Sequence, residues 1–235
     1  MNKTQQCCHE MEYLYSRKTI YEFLGFVFYN KLELKHIKGR SLIKEFLGLL
    51  TGQEAMKIVP GINELKKALK KFNDSEKYYL DLRKDYQALF EGPGPLLAPP
   101  WESVYLSEEK LMFEVQTFQV RHCYRKYGLR IEKYGKEPED HIGLELQFMG
   151  VLAGKSLDLL QENKSTEFSM LIEEQRDFLQ THLLKWVDQF AQKVQKGSTT
   201  DFYKGLALFL TWYLKNDFDL ISSLSPDEEQ KEVNL

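Results

Sequence analysis

An aspartate and a histidine stand next to each other in the stretch EPEDHIGLEL, residues 137–146, where a helical pattern begins. Residues of these types allow several kinds of chemistry. A general-base pair made of Asp140 and His141 would need a nucleophile, and no local serine or cysteine motif presents one. His141 and Glu145 could place two metal ligands on one helix face, but a metal site needs further ligands. Two other interpretations are a hydrogen-bonded structural histidine and a carboxylate that binds the guanidinium groups of a cationic peptide.

The stretch LFEGPGPLLAPPWESVY, residues 89–105, places four of the chain's seven prolines ahead of a tryptophan. Consecutive prolines exclude a helix interior and remove backbone donors, so this segment is expected to be extended and stiff. A stiff segment loses little conformational entropy when a partner binds to it. The pattern predicts either a crossover between helices, with Trp101 filling the core, or a rigid aromatic anchor in a binding site. It does not match a phosphate-binding loop, which ends in Gly-Lys followed by Ser or Thr.

Helices must position both stretches, because apolar residues recur with a period of about 3.6 along most of the chain and strand-like alternation is nearly absent. The sequence therefore predicts an all-α protein. One helix is expected to end at Gly128 in a left-handed C-cap. Another is expected to begin at Pro138, where Glu139 and Asp140 would complement the helix dipole. The expected helices span approximately residues 10–29, 40–50, 62–72, 76–90, 107–127, 138–153, 167–195 and 199–216.

Composition limits the class of protein. The 235 residues, of which 43% are hydrophobic, suffice for one domain, which we expect to span residues 1–224 and to be followed by an acidic, flexible tail at 225–235. A formal net charge of −3 offers no electrostatic surface for nucleic acid. No apolar run approaches the roughly 20 residues of a membrane span. Three cysteines do not form a disulfide framework, so a cytoplasmic protein is expected.

The two stretches occur together in an arrangement that resembles the TorD/DmsD family. In that family a Y/W-x-x-LF segment leads into a Gly/Pro loop that ends in P-P-W-x-S-x-Y, and an E-P-x-D-H motif then opens a buried helix. This chain has DYQALFEGPGPLLAPPWESVY and, about 35 residues later, EPEDHIGLELQFM. The resemblance covers roughly residues 75–215. It implies an all-helical cytoplasmic chaperone that matures molybdenum-containing redox enzymes before twin-arginine export.

By this resemblance the protein binds the twin-arginine signal peptide of a molybdopterin-dependent reductase and holds the apo-reductase until its cofactor is inserted. It would be no enzyme and would need no cofactor or metal of its own. The alternative is a weak guanine-nucleotide-binding or hydrolysing protein that uses Asp140 and His141. A monomer and a homodimer that exchanges helices about a hinge at 129–137 are both compatible with the sequence. The expected peptide-binding residues, with Glu102 added as a nearby carboxylate, are Tyr86, Leu89, Pro100, Trp101, Glu102, Asp140 and His141.

Overall fold

The computed structural model describes residues 3–33, 45–46, 48–49, 59–74 and 76–224. Within these residues the chain is helical and contains no strand, which confirms the all-α prediction. The π-helical segment Gln87–Glu91 follows the third α-helix, and a second one, Leu179–Leu183, joins the seventh helix to the eighth. The α-helices are α1 (Lys3–Tyr29), α2 (Ile62–Asp74), α3 (Glu76–Tyr86), α4 (Ser103–Leu106), α5 (Val115–Lys126), α6 (Ile142–Gln161), α7 (Ser165–Phe178), α8 (Leu184–Gly197) and α9 (Asp201–Ser222).

Two predicted segments lie wholly or partly outside the described residues. Of the helix expected at 40–50, residues 45–46 and 48–49 are described, and they are helical. The expected tail at 225–235 lies outside the described part of the chain, so the division into a domain at 1–224 and a tail stays a prediction.

Helices α1 and α6 pack closely because glycines stand where they cross. A Cβ atom added at Gly25 would lie 2.9 Å from the carbonyl oxygen of Gly143, and one added at Gly143 would lie 2.8 Å from the backbone nitrogen of Tyr29. Both distances are shorter than normal van der Waals contact, so a larger residue would push the two helices apart. This contact sets the position of the first turn of α6, next to the Asp-His pair.

A buried ion pair connects the two ends of the chain. The guanidinium group of Arg17 on α1 donates to both carboxylate oxygens of Asp217 on α9, at 2.6 and 2.9 Å. Arg17 also donates to the side chain of Gln175 on α7 at 2.7 Å, and the hydroxyl of Tyr21 donates to Asp217 at 2.6 Å. The pair is thus satisfied by hydrogen bonds from three helices, as a buried charge requires.

The loop before α9 is held by a carboxylate from another helix. Asp85 on α3 accepts hydrogen bonds from the backbone nitrogens of Thr199 and Thr200, and from the hydroxyls of Ser198 and Thr200, at 2.6 to 3.0 Å. A carboxylate at a helix N-terminus satisfies free backbone donors and complements the helix dipole. Asp85 therefore joins α3 to the start of α9.

Several helix boundaries differ from the sequence prediction: α1 begins earlier, at Lys3, α6 and α9 end later, at Gln161 and Ser222, and the π-helical segment Leu179–Leu183 divides the helix expected at 167–195. Two further differences lie next to the two stretches. The helix expected at 107–127 begins at Val115, and residues 107–114 form a loop in which Lys110 and Phe113 have positive φ angles of 54° and 64°. The helix expected to begin at Pro138 begins at Ile142. Glu139 and Asp140 lie in a turn and His141 is extended, because this backbone bonds to the proline segment. The predicted left-handed C-cap at Gly128 is confirmed, with φ at 69°.

Candidate functional site

The proline segment and the start of α6 lie side by side as a short antiparallel bridge between Trp101 and His141. The backbone nitrogen of Glu102 donates to the carbonyl oxygen of Asp140 at 2.9 Å, and that of Ile142 donates to the carbonyl oxygen of Pro100 at 2.8 Å. Pro100 takes part through its carbonyl oxygen alone, since proline has no backbone donor. The structure thus brings the two stretches of the sequence together.

The π-helical segment Gln87–Glu91 holds the other end of the proline segment. The backbone nitrogens of Leu97 and Ala98 donate to the carbonyl oxygens of Ala88 and Leu89, both at 3.1 Å. A π-helical turn leaves carbonyl groups free for such bonds, and it often occurs beside a functional site. Leu89 itself is completely buried.

Trp101 is the one member of the expected site that is partly exposed. Its indole nitrogen donates to the carboxylate of Glu137 at 2.8 Å, and its ring meets the ring of His141 at a centroid distance of 6.1 Å. Burial raises the pKa of Glu137, and the bond from Trp101 opposes that shift. The segment before α6 therefore supplies Glu137, which accepts the hydrogen bond of the indole, and His141, whose ring packs against it.

Asp140 is buried, and both of its oxygens accept hydrogen bonds from within the chain. The backbone nitrogen of Ser103 donates to Oδ2 at 2.8 Å, and the hydroxyl of Thr117 donates to Oδ1 at 2.6 Å. Asp140 therefore ties the start of α4 to the first turn of α5. The expected role of Asp140 in complementing the dipole of α6 from its first turn is wrong, because the residue precedes the helix.

Glu139, which was expected in the same first turn, forms an ion pair with another helix. Its two oxygens accept from the guanidinium group of Arg121 on α5, at 2.7 and 2.8 Å. Its carbonyl oxygen accepts from the hydroxyl of Tyr124 at 3.1 Å. These bonds hold Glu139 in a turn that precedes the helix, so α6 begins later than predicted.

His141 caps α6. Its Nδ1 accepts from the backbone nitrogen of Gly143 at 3.0 Å, and its ring lies 5.1 Å from the ring of Tyr29. Burial, helped by the nearby charge of Lys133, lowers the pKa of His141 to about 3, so the imidazole is neutral near pH 7. A neutral, capped imidazole fits the structural interpretation, and nothing in these contacts favours the nucleotide alternative.

A second set of buried ionisable groups lies behind Trp101. The carboxylate of Glu102 pairs with Nδ1 of His182, in the second π-helical segment, at 2.9 Å. Glu145 is completely buried, and its two oxygens make no hydrogen bond to the described residues. Burial raises the pKa of Glu145, and the charge of Glu102 raises it further. Burial by itself would lower the pKa of His182, but Cys123 and Glu102 outweigh it and raise this pKa to about 9.

Replacing Glu145 with glutamine is expected to stabilise the protein at pH 8 and to have little effect near pH 4. The raised pKa keeps Glu145 protonated in the folded chain, so the free energy of unfolding falls as the pH rises above 4.5, the ordinary pKa of the carboxyl. Glutamine has the shape of the protonated acid and never ionises. The midpoint of thermal unfolding, measured at both pH values, checks this result.

The matched control is Glu167→Gln on the exposed surface of α7, which is expected to change the midpoint little at either pH. His182 contributes to the free energy of unfolding of both the parent and the Glu145→Gln variant. This contribution is complete below pH 6.5 and is lost as the pH rises through about 9, the raised pKa of His182. A lower midpoint for Glu145→Gln at pH 8 would contradict the assignment, because it would mean that the ionised form is the stabilising one.

A groove of about 360 Å³ begins beside His141. Tyr29, whose ring contacts His141, forms one end, and Leu144, Phe148 and Val151 of α6 form the floor. The opposite wall comes from residues 129–132, which include Arg130 and Glu132. Nζ of Lys133 lies 5.4 Å from the centroid of the Tyr29 ring. The groove thus combines an apolar floor with charged residues at its edge.

The remaining expected site residues lie in the core behind this surface. The hydroxyl of Tyr86 donates to the carbonyl oxygen of Phe28 at 3.4 Å, and its ring packs against Phe90. Pro100 is buried, as are Leu89 and Glu102. Sequence reasoning did not find Tyr29, Thr117, Arg121 or His182, because no local pattern shows that they meet the two stretches. The assignment of the expected residues to peptide binding stays a prediction.

The comparisons with known proteins define the class of this protein. The family model of the nitrate reductase delta subunit matches residues 56–192, more than half of the chain, and the chain belongs to this family. Its relatives include proteins named as TorD and DmsD chaperones, which narrows the class further. The resemblance to the TorD/DmsD family is therefore confirmed.

A chaperone protein TorD from Vibrio atlanticus is 30% identical over 205 residues, covering 86% of this chain and 92% of the relative. TorD from Vibrio parahaemolyticus is 29% identical over 203 residues, with the same coverage. A protein named as a probable Tat proofreading chaperone DmsD, from Haemophilus influenzae, is 34% identical over 128 residues, 54% of this chain and 56% of the relative. A solved structure described as a redox enzyme maturation protein from Archaeoglobus fulgidus has 20% identity and a TM-score of 0.46, covering 85% of this chain and 93% of that one.

The relatives are named as chaperones and not as catalysts, which confirms the prediction that this family member is not an enzyme. Among the described residues, no cluster of histidine, cysteine, aspartate and glutamate has the arrangement of a metal site. None of the described helices has the length and apolar character of a membrane span.

Proposed function

We propose that this protein is a cytoplasmic chaperone of redox-enzyme maturation that binds the twin-arginine signal peptide of a molybdopterin-dependent reductase. It holds the apo-reductase until the cofactor is inserted. The family supports this role, since one relative is named as a Tat proofreading chaperone. The observation that carries the proposal is the position of Trp101, which is partly exposed, donates to the carboxylate of Glu137 and contacts His141, whose ring meets Tyr29 at the end of the groove.

The chemistry of the peptide matches this surface. A twin-arginine signal has two guanidinium groups followed by an apolar helix-forming segment, and a helix of that kind binds in an apolar groove. We assign the aromatic anchor to Trp101 and the guanidinium partners to Glu137 and Glu132, which lie on the segment beside the indole and the groove. In the free protein Nζ of Lys133 lies 5.4 Å from the centroid of the Tyr29 ring. A peptide arginine would replace it there.

In this proposal Asp140 and His141 lie beneath the binding surface and support it. Both oxygens of Asp140 are occupied by Ser103 and Thr117, and His141 is occupied as the cap of α6. They hold the backbone that presents Trp101 and Glu137. The same short bridge would form in a monomer and in a homodimer that exchanges helices. The bridge therefore does not distinguish between these two oligomeric states.

Replacing Trp101 with alanine is expected to weaken the binding of a fluorescein-labelled twin-arginine peptide about 30-fold, or about 2 kcal/mol, because a large aromatic anchor is lost. Glu137→Gln keeps an acceptor for the indole but removes the charge. It is expected to weaken the same peptide and to reduce the salt dependence of binding. Fluorescence anisotropy at two salt concentrations measures both effects.

Tyr15→Ala, which removes an exposed aromatic ring on α1, is the matched control and is expected to leave the affinity unchanged. Lys133→Ala is expected to strengthen binding, because it removes the cation that competes for Tyr29. A peptide with both arginines replaced by lysine should bind more weakly, since the planar fork of donors is lost. Equal affinities for the parent protein and Trp101→Ala would refute the site.

A further inference from the structure

Residues 111–118, which we call the apolar edge, expose five large apolar side chains to solvent. Each of five such side chains is between 40% and 57% exposed, and all fall within eight residues. Single exposed apolar residues are common, but a contiguous group usually marks an interaction surface. The five residues are Leu111, Met112, Phe113, Val115 and Phe118.

The backbone of this region is held in an unusual conformation. Lys110 and Phe113 have positive φ angles, which are uncommon for residues with a side chain and strained for a bulky one. Such strain persists where the surroundings enforce it. Here Asp140 binds Ser103 before the loop and Thr117 after it, at 2.8 and 2.6 Å. The apolar edge is therefore presented by a buried carboxylate that fixes both of its flanks.

Charged residues next to the apolar edge are mostly acidic. Glu108, Glu109 and Glu114 provide three negative charges, and Lys110 provides one positive charge, so the segment 107–118 has a net charge of −2. An apolar surface with an acidic border complements a partner that is both apolar and cationic. This is the charge and polarity of a twin-arginine signal peptide.

The apolar edge is continuous with the surface around Trp101. The guanidinium group of Arg121 lies 5.1 Å from the ring centroid of Phe118 and 5.2 Å from that of Tyr134, which is 40% exposed. Tyr134 belongs to the same connection as Glu137, the partner of Trp101. Contacts of Arg121 thus join the apolar edge to the connection that carries Glu137, the partner of Trp101.

We propose that the apolar edge docks the apolar segment of the signal peptide whose arginines bind beside Trp101. This inference rests on the proposed function and adds to it a second contact, with its own residues, for the part of the apolar segment that extends beyond the groove. The five apolar side chains cover the peptide's apolar face, and the bordering glutamates favour a cationic partner over a neutral one.

The test uses the full chain with Leu111→Ser, Met112→Ser and Phe113→Ser combined, and two synthetic probes. One probe is a twin-arginine peptide with its apolar segment, and the other has that segment replaced by Gly and Ser. Because the three side chains are exposed, the variant is expected to keep the thermal stability and circular dichroism of the parent. It should bind the first probe at least about tenfold more weakly and the second probe as the parent does.

The control variant combines Leu80→Ser and Leu220→Ser, two side chains that are equally exposed on other helices, and it should bind both probes as the parent does. We call the Leu111→Ser, Met112→Ser and Phe113→Ser combination the loop variant. If it binds the first probe as the parent does, while Trp101→Ala binds that probe more weakly, the inference is overturned and the proposed function stands. If the parent binds neither probe, the proposed function and the inference both fail. If sedimentation shows a dimeric parent and a monomeric loop variant, the apolar edge is a contact between two copies of the chain, which also overturns the inference.

Discussion

Replacing Asp217 with alanine is expected to lower the free energy of unfolding by about 3–5 kcal/mol, because it leaves the guanidinium of Arg17 buried without its counter-ion. Arg17 is almost completely buried, and Asp217 accepts two of its hydrogen bonds and one from Tyr21. The loss of the charge would also loosen α1 from α9. Urea unfolding followed by far-ultraviolet circular dichroism measures the change.

The matched control is Asp188→Ala, which breaks an exposed ion pair of similar length, 2.9 Å, between Asp188 and Lys215. Such pairs contribute about 0.2–1 kcal/mol, so this variant should remain close to the parent. The double variant Arg17→Met and Asp217→Leu should recover much of the loss, since no charge remains buried. An Asp217→Ala variant as stable as Asp188→Ala would contradict the assignment.

The second large effect is expected for Asp140→Ala, which should lower the free energy of unfolding by about 3 kcal/mol. Two buried donors, the backbone nitrogen of Ser103 and the hydroxyl of Thr117, lose a charged acceptor. The loop between α4 and α5 should become mobile, because both of its flanks are released. Hydrogen exchange at the Ser103 amide, together with urea unfolding, tests both consequences.

Thr117→Val provides the comparison for Asp140→Ala. It removes one of the two hydrogen bonds at nearly constant volume, so it should cost about 1–2 kcal/mol and leave the Ser103 amide protected. Faster exchange at Ser103 in Asp140→Ala but not in Thr117→Val would support the assignment of Asp140 as the link between the two flanks. Unchanged protection in Asp140→Ala would refute it.

The helices were predictable because their signals are local. Ile142, Leu146, Met149 and Ala153 recur on one helix face, and all four are buried in α6. The left-handed residue at Gly128 likewise follows from a property of glycine itself. Both depend on interactions within a few residues of the chain.

The start of α6 and the loop at 107–114 were not predictable in the same way. Pro138 and the acids after it have the composition of a helix start, yet the backbone there bonds to the proline segment instead. Residues 107–114 lie in a loop where a helix was expected, and Asp140 binds Ser103 before the loop and Thr117 after it. In both places a contact between distant segments outweighs the local preference, whose magnitude is only a few tenths of a kcal/mol per residue.

By itself, the sequence determined that the protein is all-α. The stretches at 89–105 and 137–146 also identified the family through their resemblance to its motifs. Only the tertiary structure decided which partner each buried charge has: Asp140 with Thr117, Glu102 with His182, and Arg17 with Asp217. The last two pairs are 80 and 200 residues apart in the chain. Helix periodicity and capping depend on neighbouring residues, whereas a buried ion pair depends on which helices pack together, and no local pattern contains that information.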